Sequence, residues 1–310
     1  MVVKWMPERR HVVFAMGIYV KLLLTAIFWG GTFIAGRSVS QNIGPFSIAF
    51  LRFAIASILL ALLTWKIEGK FPRLKTPQII PVVLLGMTGI FLYNVMFFKG
   101  LKIIEAGRAS LIVATCPVFI TIGSALFFKE RINATKAFGI VISVFGAVIV
   151  ITKGNMRGIF AGSVGWGELY ILCCVLSWTA YSLIGKVVMN DLSPLASVFY
   201  STVVGMIALF IPAWFEGLIQ EIGRHCVSDW LSILYLGIFG TVIGFVWYYE
   251  GVNQVGPMKA AIFINFVPIS AVVLAFLILR EPITASLLAG TVLVVSGVYL
   301  TTRTAKEAAT

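Results

Sequence analysis

The sequence predicts an all-α integral membrane protein, with ten transmembrane helices in two five-helix repeats of inverted topology. Three observations lead there. Of 310 residues, 60% are hydrophobic and only 12% charged, whereas average soluble domains carry roughly 25% charge. Apolar runs near the length of a helical membrane span, about 20 residues, recur ten times with short segments between them. The pattern of Gly, Pro and Glu in the first half then returns in the second. With a mean hydropathy of +1.01, neither a large extramembrane catalytic domain nor a disordered tail has room.

Each run has its own punctuation. The first, residues 18–38, follows a basic start (Lys4, Arg9, Arg10) and carries Lys21. It is as long as a span and lacks a small-residue cleavage site, so it reads as an uncleaved helix. Gly44-Pro45 opens the second span, 46–65, and the stretch Pro72 to Pro77 separates it from the third, 79–98. The fourth covers 107–128, and Asn133 precedes the fifth, 135–152. A linker, 153–165, leads to the sixth, 166–188, and Ser193-Pro194 opens the seventh, 194–215. The eighth is 230–250, Gly256-Pro257 introduces the ninth, 258–279, and Pro282 precedes the tenth, 285–302. A β-barrel would alternate in segments of roughly ten residues, and these unbroken runs do not.

The net charge is +12, but the basic residues are scattered between apolar runs rather than gathered on one face, as a nucleic-acid binder needs. They fit loop positions instead. With the N-terminus inside, fourteen Lys and Arg fall on the cytoplasmic side and eight on the other, leaving out Lys21 and Arg52 within spans. That bias predicts both termini in the cytoplasm. The four cysteines, Cys116, Cys173, Cys174 and Cys226, form no C-x-x-C pair, so neither a zinc site nor a disulfide framework is indicated.

The repeat is specific. A shift of 151 pairs Gly86 with Gly237, Gly89 with Gly240, Gly100 with Gly251, Pro117 with Pro268, Glu130 with Glu281 and Gly146 with Gly297. Upstream, a shift of 149 pairs Trp29 with Trp178, Gly36 with Gly185 and Pro45 with Pro194. Shared hydrophobicity alone would not place these residues in step. Five spans per copy is an odd number, so the second copy enters the membrane upside down relative to the first. Inverted repeats of this kind build many secondary transporters, with the binding site at the midplane between the repeats.

Trp29-Gly30-Gly31-Thr32-Phe33, Pro45 followed by Leu51-Arg52-Phe53, Pro117-Val118-Phe119 and Lys129-Glu130-Arg131-Ile132 mark the first copy. Gly256-Pro257, Pro268, Leu279-Arg280-Glu281-Pro282-Ile283, Gly290 and Gly297 mark the second. In their order and duplication these segments resemble the EamA-type members of the drug/metabolite transporter superfamily, over about residues 18–302. The resemblance implies an inner-membrane carrier, often an exporter of amino acids or related metabolites. It also implies a central cavity lined by helices 1, 3, 4, 6, 8 and 9. Where the first copy has Arg52 the second has Ser201, which makes the site asymmetric.

Several residues could line such a cavity. Trp29, Thr32, Phe33 and Gly36 share one helical stripe, and Trp178, Tyr181, Ser182 and Gly185 repeat it. Both tryptophans sit near mid-span, although Trp usually gathers at the interfaces. The stripes read either as cavity wall or as close helix packing. Pro117 and Pro268 also fall mid-span, where each removes a backbone donor and frees a carbonyl. Thr115 and Asn265 lie close enough to repair that backbone or to face a solute. Tyr93 and Asn94 in the third span carry the same ambiguity. On a cavity reading, Trp178→Ala weakens transport while folding stays nearly normal. Arg52 lies inside the second span, where a cation needs a partner or water, and Arg37 sits near the end of the first. They either attract an anion from the outer side or tie the fold through backbone carbonyls and a loop carboxylate.

Other chemistry is missing. Every Asp and Glu falls at or near a span end, and neither His lies within a span, so no midplane proton relay, metal site or general acid/base pair is expected. No cofactor is implied. Gly31 to Ser38 nearly fits a phosphate-binding loop, but Arg37 replaces the Lys and no strand precedes it. Gly139, Ser143, Gly146, Gly290 and Gly297 make flat faces for helix packing or for a homodimer. The expected function is alternating-access transport of small metabolites, amino acids or related compounds, in the export direction, and not an enzymatic one. An obligate exchanger of an anionic solute is the second reading, and a membrane-embedded sensor or enzyme a distant third.

Overall fold

The computed structural model describes residues 8–129, 132–154, 165–255, 260 and 263–302. Sequence expectations placed on Lys4, Glu130, Arg131, Arg157, Gly256, Pro257, Lys259, Arg303 and Lys306 lie outside the described residues, as does most of the linker. The described residues contain no strand and form ten helical spans. They are α1 (Glu8–Val39), α2 (Pro45–Glu68), α3 (Thr76–Ile103), α4 (Ala106–Phe128) and α5 (Ala134–Ile151). The second repeat supplies α6 (Trp166–Val188), α7 (Pro194–Phe215), α8 (Val227–Val255), α9 (Phe266–Leu279) and α10 (Ala285–Thr302). Lipid-side positions are apolar and exposed, for example Ile58, Leu62, Phe127, Phe138 and Ile211. Trp65, Trp166 and Trp214 stand exposed near span ends, the usual interfacial place for that side chain.

Helix packing follows the duplication. α5 lies against α10 and α2 against α7, each pair being its own counterpart. The contact of α1 with α9 answers that of α6 with α4, and α1 with α8 answers α6 with α3. Each repeat therefore leans more on the other than on itself, and the two halves interlock.

Repeat-related termini are held in related ways. Proline at the start of α2 and of α7 suits a position whose N–H has no helical partner. The Glu216 carboxylate at the end of α7 accepts from the Ser47 N–H at 2.6 Å, while Glu68 at the end of α2 accepts from the Ser193 hydroxyl. Lys129 and Arg280, related by the 151 shift, both close their helices in the left-handed region at φ 57° and 56°. The next residue, Glu281, reaches back to α4. Its carboxylate accepts from the N–H groups of Ala106 at 2.9 Å and Gly107 at 3.1 Å, satisfying donors that a helix start leaves open. Glu281 is thus a helix cap. Glu281→Ala should lower stability by about 1–2 kcal/mol, as loss of a cap does, and thermal melting of the purified protein in detergent measures it.

The glycine faces are used inside the chain. A Cβ on Gly297 would lie 2.4 Å from the Ser143 N and 2.6 Å from the Gly139 O. One on Gly146 would lie 2.8 Å from the Val294 N, and one on Gly290 would meet Val150 at 2.1 Å. α5 and α10 thus approach backbone to backbone, as small residues allow in lipid. These glycines are therefore occupied in packing α5 against α10 within the chain.

Two spans are interrupted. α4 breaks at Ala114-Thr115, with Cys116 and Pro117 restarting the helix. The ninth span breaks at Asn265, the counterpart of Ala114, immediately before α9 begins and ahead of Pro268. Two others widen into π-helical turns, Gly86–Leu92 in α3 and Ile238–Ile243 in α8, which match under the 151 shift to within a residue. Wide turns of this kind commonly mark functional positions.

Candidate functional site

The two repeat-related tryptophans meet. The Trp29 and Trp178 rings stand edge to face at 86°, centroids 5.3 Å apart, so the axis relating the repeats passes close to this contact. Tyr93, Phe245 and Tyr248 surround the pair, with ring centroids 5.2 to 6.0 Å from one or both indoles. Beside them lies a small cavity of about 40 Å³ for a water-sized sphere, room for roughly three waters. Admitting a metabolite requires the helices to part.

Of the residues that sequence pointed to, Trp29, Thr32, Tyr93, Trp178 and Arg52 line this cavity. Phe33, from the same stripe as Trp29, joins them, and the wall also includes Phe97, Val113, Cys116, Phe245, Ile264 and Val267, which sequence reasoning missed. Val113 and Ile264 are counterparts, as are Cys116 and Val267. Cys116 and Val267 each immediately precede a duplicated proline, and that position was the available signal. The helix break turns the side chain before the proline toward the centre.

The remaining candidates do not line the wall. Pro117 and Pro268 stand behind it and shape the breaks. The Thr115 hydroxyl donates to the Ile112 carbonyl at 2.7 Å, so it repairs the interrupted backbone. Asn265 is buried at its own break, and its Oδ1 has no hydrogen-bond partner among the described residues. Tyr181 is buried with its hydroxyl 3.4 Å from Ser201 Oγ, and Gly89 leaves space for its ring, since a Cβ there would lie 2.2 Å away. Ser182 is likewise buried in the packing. Arg37 donates to the Leu101 carbonyl and ties α1 to α3, away from the cavity.

Arg52 and Asn94 act together, and Asn94 follows one of its two expected readings, since its Nδ2 donates to the Gly89 and Ile90 carbonyls. Arg52, 3% exposed, finds neither a backbone carbonyl nor a loop carboxylate among the described residues. Its Nε donates to Thr241 Oγ1 at 2.9 Å and its Nη1 to Asn94 Oδ1 at 2.8 Å. Asn94, fully buried, positions the guanidinium. α2 therefore joins the six cavity-lining helices that family resemblance implies. The partner residue Thr241 lies 189 positions away and had no sequence signal.

Closing contacts differ on the two faces. On the face where α1 begins, Lys21 pairs with Glu250 at 2.7 Å, joining α1 to α8. The counterparts of these residues are Tyr170 and Lys99 on the opposite face, where the ammonium lies 5.8 Å from the ring centroid. Phe33 and Phe97 meet there edge to face at 5.1 Å, and Arg108 pairs with Glu168 at 2.8 Å.

A ten-helix bundle of inverted repeats, with broken and widened helices around a cavity between the repeats, has the architecture of a secondary transporter. The chain belongs to the EamA-like transporter family, which matches it twice, over residues 16–152 and 165–303. It is 28% identical to the "Uncharacterized transporter YyaM" of Bacillus subtilis (strain 168), over 91% of this chain and 92% of that protein. An "Uncharacterized transporter" of Archaeoglobus fulgidus is 31% identical over 92% of this chain and 98% of its own length. A "Probable terminal-alkyne amino-acid exporter" of Streptantibioticus cattleyicolor is 28% identical, covering 91% and 92%. One solved crystal structure superposes with a TM-score of 0.65 at 21% identity, over 91% of this chain and 96% of that one. At that identity it speaks for the fold alone.

Proposed function

We propose that this transporter exports small metabolites, amino acids or related solutes with an apolar or aromatic part, by alternating access across the inner membrane. Residues 18–152 and 166–302 are its two units, and the face where α1 begins is cytoplasmic, in keeping with the lysine and arginine bias of the loops. The observation that carries the reading is the Trp29–Trp178 contact at the repeat axis. Whatever opens one face of such a site has a counterpart that opens the other, through helices of inverted direction. A largely aromatic and apolar wall with few polar groups is the usual make-up of a small-molecule pocket, and an exporter-named relative of full-length similarity points to the substrate class.

Uptake of labelled amino acids into proteoliposomes, with and without a trapped counter-solute, tests this. Flux above protein-free vesicles supports transport. A strict need for counter-solute favours the second reading, an obligate exchanger of anionic solutes, which the cavity cation Arg52 suits. No carboxylate or His lines the cavity among the described residues. Exchange should therefore persist, within about twofold, when a protonophore collapses the proton gradient, since an intramembrane relay normally needs such a group.

A further inference from the structure

The cavity holds a charge without a counter-charge. Among the described residues no carboxylate comes within ion-pair distance of Arg52. Its two hydrogen-bond acceptors are neutral, and each is oriented by a donor bond of its own. The Thr241 hydroxyl donates to the Leu236 carbonyl at 3.0 Å. Asn94 Nδ2 donates to the Gly89 and Ile90 carbonyls at 3.2 and 2.9 Å. Both therefore turn lone pairs to the guanidinium and hold its plane, and the Phe53 ring lies 5.1 Å from its carbon, but none of these supplies a counter-ion, a costly condition within a membrane protein. Nη2 has no hydrogen-bond partner among the described residues, and Gly240 gives it room, since a Cβ there would lie 3.2 Å away.

A planar guanidinium with unused donors fits a carboxylate. The counterpart position offers no second anchor, because Ser201 is neutral and its hydroxyl is spent on the Val198 carbonyl at 3.0 Å. No other charged side chain lines the wall among the described residues. We infer that Arg52 is the carboxylate anchor of the site and that the substrate class is small monocarboxylates with an aromatic or aliphatic body. This rests on the transport reading above. A second anionic group would find no cation, so dicarboxylates and phosphorylated solutes are poor fits. The body lies toward Trp29 and Trp178, and an α-ammonium group gains from their ring faces.

The test uses matched pairs, L-phenylalanine with L-phenylalaninamide and L-leucine with L-leucinamide, in counterflow assays on proteoliposomes of the full chain. Thermal stabilisation of the detergent-purified protein by phenylacetate is measured alongside. The wild type should prefer each acid over its amide by about thirtyfold or more, the loss seen when one partner of a buried charge pair is removed. Arg52→Gln should abolish that preference, and phenylacetate should stabilise the wild type but not the variant. Where Arg52→Gln fails to fold, Arg52→Lys keeps the charge without the fork and should retain a weakened preference. Acid and amide moving equally well through the wild type would overturn the anchor while leaving transport intact. So would an equal fall in both for a folded Arg52→Gln, the mark of a purely structural tie. Stabilisation by phenylacetate without any flux would uphold the anchor and overturn transport. Neither flux nor stabilisation would overturn both.

Discussion

Gly297→Leu is expected to leave little folded protein. The new Cβ would meet the backbone of α5, at Ser143 N and Gly139 O, and backbone atoms cannot swing aside as a side-chain tip can. α10 must then lift off α5 along its main contact. Overpacking a fitted interface costs typically 1–3 kcal/mol and occasionally more; a branched side chain against two backbone segments belongs at the top of that range, above about 3 kcal/mol. Gly290→Ala should be milder, because its nearest obstacle is the Val150 side chain. Gly17→Ala, where a Cβ would meet nothing within 4 Å, should be neutral. Fluorescence-detected size exclusion after heating orders the three variants. A monodisperse Gly297→Leu protein with a wild-type midpoint would show that α5 and α10 do not pack in this way.

Trp178→Ala should lose both stability and transport. Although the residue borders the cavity, it is 5% exposed and its ring contacts Trp29, Tyr93, Tyr181, Phe245 and Tyr248. Removing a buried Trp side chain costs about 3–5 kcal/mol. The sequence-based expectation that this substitution spares folding treats the wall as loosely packed. The discriminating variant is Trp178→Phe, which keeps an aromatic ring and most of the packing while shortening the wall. It should keep a midpoint within a few degrees of the wild type, while transport efficiency falls about tenfold or more, as misplacing a positioned contact does. Trp29→Phe should behave alike but lose more stability, since Trp29 Nε1 donates to the Gly240 carbonyl at 3.1 Å in the widened turn of α8. Unchanged transport in a stable Trp178→Phe protein would place the solute elsewhere.

Much of this architecture is a property of the sequence by itself. Burial in lipid is a matter of composition and length, so ten spans follow from hydropathy. The inversion follows from counting five spans per copy. Glycine and proline are legible because their effects are local: Pro117 and Pro268 mark the broken helices, and the pairing of Trp29 with Trp178 at equal depth marks the centre. Which side chains reach that centre was decided only in three dimensions. The breaks rotate Cys116 and Val267 inward and leave the prolines behind them. Asn94, which sequence leaves open as a solute contact, holds Arg52, and Thr241 joins it from the other repeat. The glycine faces of α5 and α10 close on each other. In lipid, apolar surface does not discriminate between neighbours, so helices select partners by close fit and by hydrogen-bonding groups that must be satisfied. Those choices join residues from 42 to 189 positions apart, and no local pattern records them.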